Sequence, residues 1–182
     1  MPWICQKCGY TVFNNDVLEL MDVLQQKIKC LGYDEPIEIW EGALNDLQVF
    51  LHPNNYLCMN VKRTLIQLYG NREKFELPAD VTKISRKIEL CKNHINVYSK
   101  VDNGYSSWKG KVLEELVGPY MLYNKYLLKS CQIDENAYFK NYKESLRMIK
   151  EASKCRQYEP QSSAKFFAWC LKDVNDVMSE DQ

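Results

Sequence analysis

Two thiols open the chain. The segment Trp3-Ile4-Cys5-Gln6-Lys7-Cys8-Gly9-Tyr10 is a Cys-x-x-Cys-Gly knuckle. Cysteines at this spacing present both sulfurs to one metal ion, and a structural zinc site closes tetrahedrally on four such ligands. No second Cys-x-x-Cys pair follows. Cys5 and Cys8 therefore read as half of a site whose partner ligands are expected upstream of Met1. Zinc is the expected cofactor only with those ligands, because two thiolates hold it weakly. The plainer reading is an isolated knuckle without metal. A redox use of the pair needs a βαβ context that the pattern lacks.

Other residues with chemical potential are few. His52 and His94 are the only histidines. Neither has a cysteine or carboxylate at nucleophile–base spacing, so both read as capping or surface residues. Lys83, Arg86, Lys87 and Lys92 gather basic groups on a fourth helix, and Asn60, Lys62 and Arg63 add polar and basic groups on a third. In a tetratricopeptide-like stack, a groove lined by Asn60, Arg63, Lys83, Arg86 and Lys87 would clamp an acidic C-terminal peptide. A solvated helix face is the bland alternative. Tyr120, Tyr123, Tyr126, Tyr138 and Tyr142 are spaced for helix packing before base stacking. No P-loop, G-x-G-x-x-G, G-x-S-x-G or H-E-x-x-H pattern is present.

The elements that would position these residues are helices. Val17, Leu20, Met21, Leu24, Ile28 and Leu31 recur at helical spacing over Asp16–Leu31, with Asn14, Asn15 and Asp16 as candidate caps and Gly32 as the stop. Pro36 suits the start of a second helix carrying Ile37, Trp40, Ala43, Leu44, Leu47 and Leu51. His52-Pro53-Asn54-Asn55 breaks the chain before a third, Tyr56 to Tyr69, ended by Gly70. A fourth opens at Leu77-Pro78-Ala79-Asp80 and ends at Asn103-Gly104. A fifth begins near Ser106, with a kink expected at Gly118-Pro119. Asp134 caps a sixth, and Ser162 and Ser163 a seventh bearing Phe166, Phe167, Cys170, Val174 and Val177. No strand is convincing. The starts at Asn55, Asp80, Ser106, Asp134 and Ser162 recur about every 25 to 28 residues. The expected fold is all-α: an antiparallel helical stack or bundle, tetratricopeptide-like, of about seven helices, preceded by half of a zinc knuckle. Residues 1–13 would be the knuckle remnant, 14–178 the helical domain and 179–182 a frayed tail.

Composition narrows the function classes. The 182 residues carry 24 basic and 24 acidic side chains, so no overall field favours nucleic acid or an anionic membrane surface. No apolar run reaches a membrane span and no signal-peptide pattern opens the chain. Of eight cysteines, Cys30, Cys58, Cys91, Cys131, Cys155 and Cys170 are dispersed. They read as small buried hydrophobes in a reducing compartment rather than as a disulfide framework.

Four segments in order resemble the C-terminal part of the SMYD (SET- and MYND-domain) protein lysine methyltransferases, the arthropod SmydA-type branch more closely. Pro2 to Gly9 resembles the last cysteine knuckle after the SET domain. Leu51-His52-Pro53-Asn54-Asn55-Tyr56-Leu57, leading to Leu65-Ile66-Gln67-Leu68-Tyr69-Gly70, resembles the family's "LHPNHY…LIQLYG". Lys87-Ile88-Glu89-Leu90-Cys91 and Val101 to Gly110 resemble "ELC…VDPGLSRLRG", with Leu113-Glu114-Glu115-Leu116 and Gly118-Pro119 after it. Ile149-Lys150-Glu151-Ala152, running to Glu159-Pro160, is the fourth. Asn103 replaces the usual Pro, and Asn55 stands where the family often has His. The SET core, which binds S-adenosylmethionine, and the MYND finger have no counterpart here, so no catalytic or cofactor residue carries over.

The resemblance implies a non-catalytic C-terminal helical domain that forms a substrate-cleft wall and a surface for protein partners, among them histone or chaperone proteins. It implies cytoplasmic or nuclear residence and no methyl transfer by this chain alone. The alternative is a free-standing helical adaptor that binds protein partners. A zinc-dependent nucleic-acid module is disfavoured by the neutral charge.

Overall fold

The structure, a computed structural model, describes residues 2–4, 6, 8–70, 76–77, 79–101, 104 and 106–156, and of Trp3 only the backbone. Among these residues the fold is all-α, with six helices and one short β ribbon. The seventh helix expected at Ser162–Val177 lies outside the described residues. The chain divides into two compact units, Met1–Thr64 and Leu65–Gln182.

In the first unit, β1 (Trp3–Ile4) pairs antiparallel with β2 (Thr11–Val12), Trp3 opposite Val12 and Ile4 opposite Thr11. Strands of two residues are too short to show an alternating pattern, which is why no strand is legible in the sequence. α1 (Asn14–Lys29) and α2 (Ile37–Phe50) follow. The Trp40 indole Nε1 donates to the Gly32 carbonyl at 3.3 Å, and Lys27 Nζ lies 2.6 Å from Asp46 Oδ2. Lys27 near the end of α1 thus meets Asp46 in the second half of α2, and Trp40 holds the loop that joins the two helices. Leu24, Trp40, Ala43, Leu44 and Leu47 are buried in this unit. Pro36 holds the N-cap position of α2 as its fixed φ predicts. The caps expected at Asn14, Asn15 and Asp16 are corrected: α1 begins at Asn14 itself, after Phe13, with no side-chain cap.

α3 (Tyr56–Leu68) starts where Asn55 caps it, the Leu57 amide donating to Asn55 Oδ1 at 3.0 Å. It stops at Gly70, whose amide donates to the Gln67 carbonyl at 3.0 Å and whose φ is +77°. A left-handed residue just past a helix end is the position glycine fills without a Cβ clash.

The second unit holds α4 (Val81–Val101), α5 (Ser107–Lys129) and α6 (Glu135–Cys155). α5 packs against both neighbours. Lys109 meets Glu151, Tyr120 meets Glu144 and Asn124 meets Asn141, so α5 and α6 run antiparallel. Ile84, Cys91, Leu113, Leu116, Val117 and Ala152 are buried here. Val117 and Met121 pack with Tyr142, Met148 and Ile149. α5 runs through Pro119, the position of the expected kink, as one helix. Gly118 presents no Cβ to the proline ring, which eases the clash with the preceding residue. Asp134 caps α6, accepting from the Ala137 amide at 2.7 Å.

Two groups of expectations on burial need correction. Cys58, Cys91 and Cys155 are buried as expected, but Cys30 and Cys131 are exposed at helix ends. His94 is not a surface residue: it is 1% exposed, with its ring 5.2 Å from that of Tyr98.

Candidate functional site

The β ribbon frames the knuckle. Pairing of Ile4 with Thr11 brings the two ends of the Cys-x-x-Cys-Gly loop side by side. Gly9 turns the chain back with φ +70°, a conformation that disfavours any side chain even though a Cβ added there would meet no atom within 4 Å. Thr11 Oγ1 donates to the Gly9 carbonyl at 3.4 Å. Cys8 is exposed, and Cys5 lies outside the described residues. Among the described residues, no group of three or more His, Cys, Asp or Glu gathers as a metal cluster would.

The five groove residues divide between the two units. In the first, Asn60 and Arg63 lie exposed on α3. Lys62 between them is 4% exposed, and its ammonium reaches back to donate to the Pro53 carbonyl at 2.9 Å. In the second unit, Lys83 is largely exposed and pairs with Asp80 at 3.0 Å. Arg86 pairs with Glu89 at 2.8 Å. Asp80 accepts the Glu76 amide at 2.9 Å, and that backbone bond, with Lys83 second, holds its carboxyl below the usual carboxylate range.

Lys87 is corrected. It is not a groove cation but is 0% exposed, with its ammonium donating to the Gly70 carbonyl and to Glu115 Oε2, the latter at 2.6 Å. No partner peptide reaches that charge without opening the α4–α5 packing. The thiol of Cys91, one helical turn on, is pushed up to about 12, chiefly by burial and only partly offset by Lys87. Such a thiol is not a nucleophile at neutral pH.

Sequence reasoning misses the two buried lysines as a pair, although the signal is present. Lys62 falls in the series Cys58, Val61, Lys62, Leu65, and Lys87 in Ile84, Lys87, Ile88, Cys91. Each occupies a core-facing slot of an apolar stripe, and each ties down the carbonyl of a loop flanking α3. A second polar set joins α5 to α6. Tyr120 donates to Glu144 Oε2 at 3.0 Å, Asn124 Nδ2 to the Tyr120 carbonyl at 2.7 Å, and Asn141 Nδ2 to Asn124 Oδ1 at 2.6 Å. Burial first, then Glu144, pushes the Tyr120 phenol up to about 12. With every member bonded to a neighbour, this set reads as packing, in keeping with the tyrosine spacing.

No helix among the described residues is long and apolar enough to cross a membrane. Comparison of the chain with family models, with curated proteins and with solved structures gives no match.

Proposed function

We propose that this chain is the non-catalytic helical C-terminal region of a SMYD-type protein lysine methyltransferase. In that reading it forms a wall of the substrate cleft and a surface for protein partners, with S-adenosylmethionine bound by a SET core outside these residues. Cys5 and Cys8 supply two of four zinc ligands. The observation that carries the reading is the ordered set of motifs from Pro2 to Pro160, headed by a Cys-x-x-Cys-Gly knuckle. The all-α frame and the exposed Cys8 thiol support it. The candidate partner contacts in this reading are Asn60 and Arg63 in the first unit and, separately, Lys83 and Arg86 in the second, without the buried Lys87. Surface ion pairs such as Lys83–Asp80 are worth about 0–1 kcal/mol, so an acidic peptide displaces them at little cost.

The test begins with the reading frame upstream of Met1. An in-frame SET core with a second Cys-x-x-Cys is expected, and protein expressed with those residues should hold zinc on four sulfurs by X-ray absorption. Replacement Cys8→Ser should remove one sulfur and weaken zinc retention. A stop codon directly upstream turns the reading to a free-standing helical adaptor. Methyl transfer from S-adenosylmethionine by the purified 182-residue chain would refute the accessory role.

A further inference from the structure

We propose that the outer face of α6 binds the surface of an anionic lipid bilayer, with the helix lying along it. The inference is independent of the methyltransferase reading. Lys140, Lys143, Arg147, Lys150 and Lys154 follow one another along α6 at spacings of three, four, three and four, and all five are exposed. At about 100° and 1.5 Å per residue they fall within about 80° of arc, in a row about 21 Å long. The row lies away from the side of the helix that buries Ser145, Ala152 and Cys155. The three acids of α6 stand outside it. Glu135 is in the first turn, Glu144 accepts from the Tyr120 hydroxyl at 3.0 Å, and Glu151 pairs with Lys109 of α5 at 2.5 Å. Elsewhere in this unit Lys83, Arg86, Lys87, Lys109 and Arg156 each meet a carboxylate. Among the described residues, Lys140, Lys143, Arg147 and Lys150 form no ion pair. Like charges three and four residues apart destabilise a helix, so the row is a local repulsion that an anionic partner relieves.

The two flanks of the row differ, and the difference selects the partner. On the flank toward α5 stand Glu144 and Glu151. On the other stand Phe139, 49% exposed, and Leu146, 39% exposed. A helix seated in a duplex groove meets phosphates on both sides, and here one side is acidic. An acidic peptide recognised by a helical surface lies in a groove, whereas this row is the crest of a helix. A bilayer surface suits both flanks. Tilting toward Phe139 and Leu146 sinks the two apolar side chains into the headgroup boundary and lifts Glu144 and Glu151 away from it. The basic side chains then lay their apolar stems in the interface and keep their charges among the lipid headgroups. A cluster of about four to eight Lys and Arg on such a helix attracts anionic lipid. The zero net charge of the chain does not oppose this, because charges farther off than about 8 Å are largely screened at physiological salt.

Co-sedimentation of the full 182-residue chain with vesicles tests this. The chain should pellet with phosphatidylcholine vesicles containing about 30% phosphatidylserine and stay in solution with phosphatidylcholine alone. Raising the salt from about 0.1 M to about 0.5 M should release it. Arg147→Gln should weaken the binding about fivefold, and Lys143→Glu/Lys150→Glu, which changes four charges, by more than about 100-fold. Phe139→Ala/Leu146→Ala should weaken it about tenfold, since the apolar flank enters the interface. Lys29→Gln, at an exposed lysine of α1, is the control expected to bind like the parent. All these sites are exposed, so far-UV circular dichroism should stay unchanged and separate lost binding from lost folding. Equal pelleting with both kinds of vesicle overturns the proposal. So does undiminished binding by either double variant. A chain that ignores phosphatidylserine but shifts duplex DNA, and loses the shift in Lys143→Glu/Lys150→Glu, overturns it too and assigns the row to a phosphate backbone.

Discussion

Replacement Lys87→Met isolates the contribution of one buried ammonium. Methionine keeps most of the unbranched stem inside α4 and removes the charge with both of its bonds. Two acceptors lose their partner. The Gly70 carbonyl belongs to a buried residue, and an unsatisfied buried acceptor costs about 1–3 kcal/mol. The Glu115 side chain is 36% exposed, so water recovers much of its solvation and the loss there is roughly 0–1 kcal/mol. Breaking a fully buried pair costs about 3–5 kcal/mol, and the wet carboxylate places this case below that range. Relief of the ammonium's own desolvation offsets part of the loss. The net expectation is a destabilisation of about 2–3 kcal/mol, or about 5–10 °C in Tm for a chain of this size. Urea unfolding followed by circular dichroism measures it, with Lys83→Met, at a 58% exposed side chain, as the control expected within about 0.5 kcal/mol of the parent. The double variant Lys87→Met/Glu115→Gln should recover part of the loss. Should Lys87→Met unfold at the same urea concentration as Lys83→Met, the ammonium does not tie the α3–α4 connection to α5, and the reasoning fails.

Two Gly→Ala replacements should act in opposite directions in the same assay. Gly42 is exposed inside α2 with nothing within 4 Å of an added Cβ, so Gly42→Ala should stabilise by about 0.5–1 kcal/mol. At Gly110 a Cβ would meet Cys155 Cβ at 2.9 Å and Arg156 Cγ at 2.7 Å, so Gly110→Ala should destabilise by about 1–2 kcal/mol net of its helix propensity. Cys131 follows the end of α5 at φ +56°, in a cap where its amide donates to Leu128 and that of Gln132 to Leu127. Cys131→Gly should relieve about 1 kcal/mol of left-handed strain and raise the Tm, whereas Cys131→Val should lower it. The raised thiol of Cys91 and phenol of Tyr120 predict alkaline sensitivity. Both groups ionise more easily in the unfolded chain, so their contribution is intact below pH about 9 and is lost as pH rises toward 12. Urea midpoints measured from pH 8 to 11 should fall less steeply for Cys91→Ala than for the parent; parallel slopes would remove Cys91 from the account.

The helical frame is legible in the sequence because long amphipathic periods and turn residues agree. Pro36, Asn55, Gly70 and Asp134 each mark the boundary expected of them, and the first six helices fall within a few residues of their sequence positions. What escapes is contact across the chain. Residue type alone assigns Lys87 to solvent, although its slot between Ile84 and Cys91 faces the core. Type loses to position because a lysine stem is apolar and its head finds a carbonyl and a carboxylate within reach. His94 follows the same rule one step further along that stripe. Cys131 goes the other way, its residue type favouring the core and its place past the end of α5 putting it in solvent.

The positions of the two buried lysines also bear on what the motif resemblance means. The stretch from Leu51 to Gly70 contains the Pro53 carbonyl held by Lys62, the Asn55 cap and the left-handed Gly70 whose carbonyl is held by Lys87. Those residues are the entry and exit joints of α3. Any chain that places a helix between two tight loops in this way meets the same demands for an Asx cap at one end and a glycine at the other. Similarity over this stretch therefore speaks to how the chain turns, and weighs little on what it binds. The knuckle is different in kind. Gly9 answers a backbone demand, but Cys8 is exposed and makes no disulfide. A thiol in that position, three residues from a second, serves no packing purpose in this fold. Among the resembling segments, then, the functional reading stands or falls on metal binding at Cys5 and Cys8, and zinc retention tests it more sharply than any substitution in the helices.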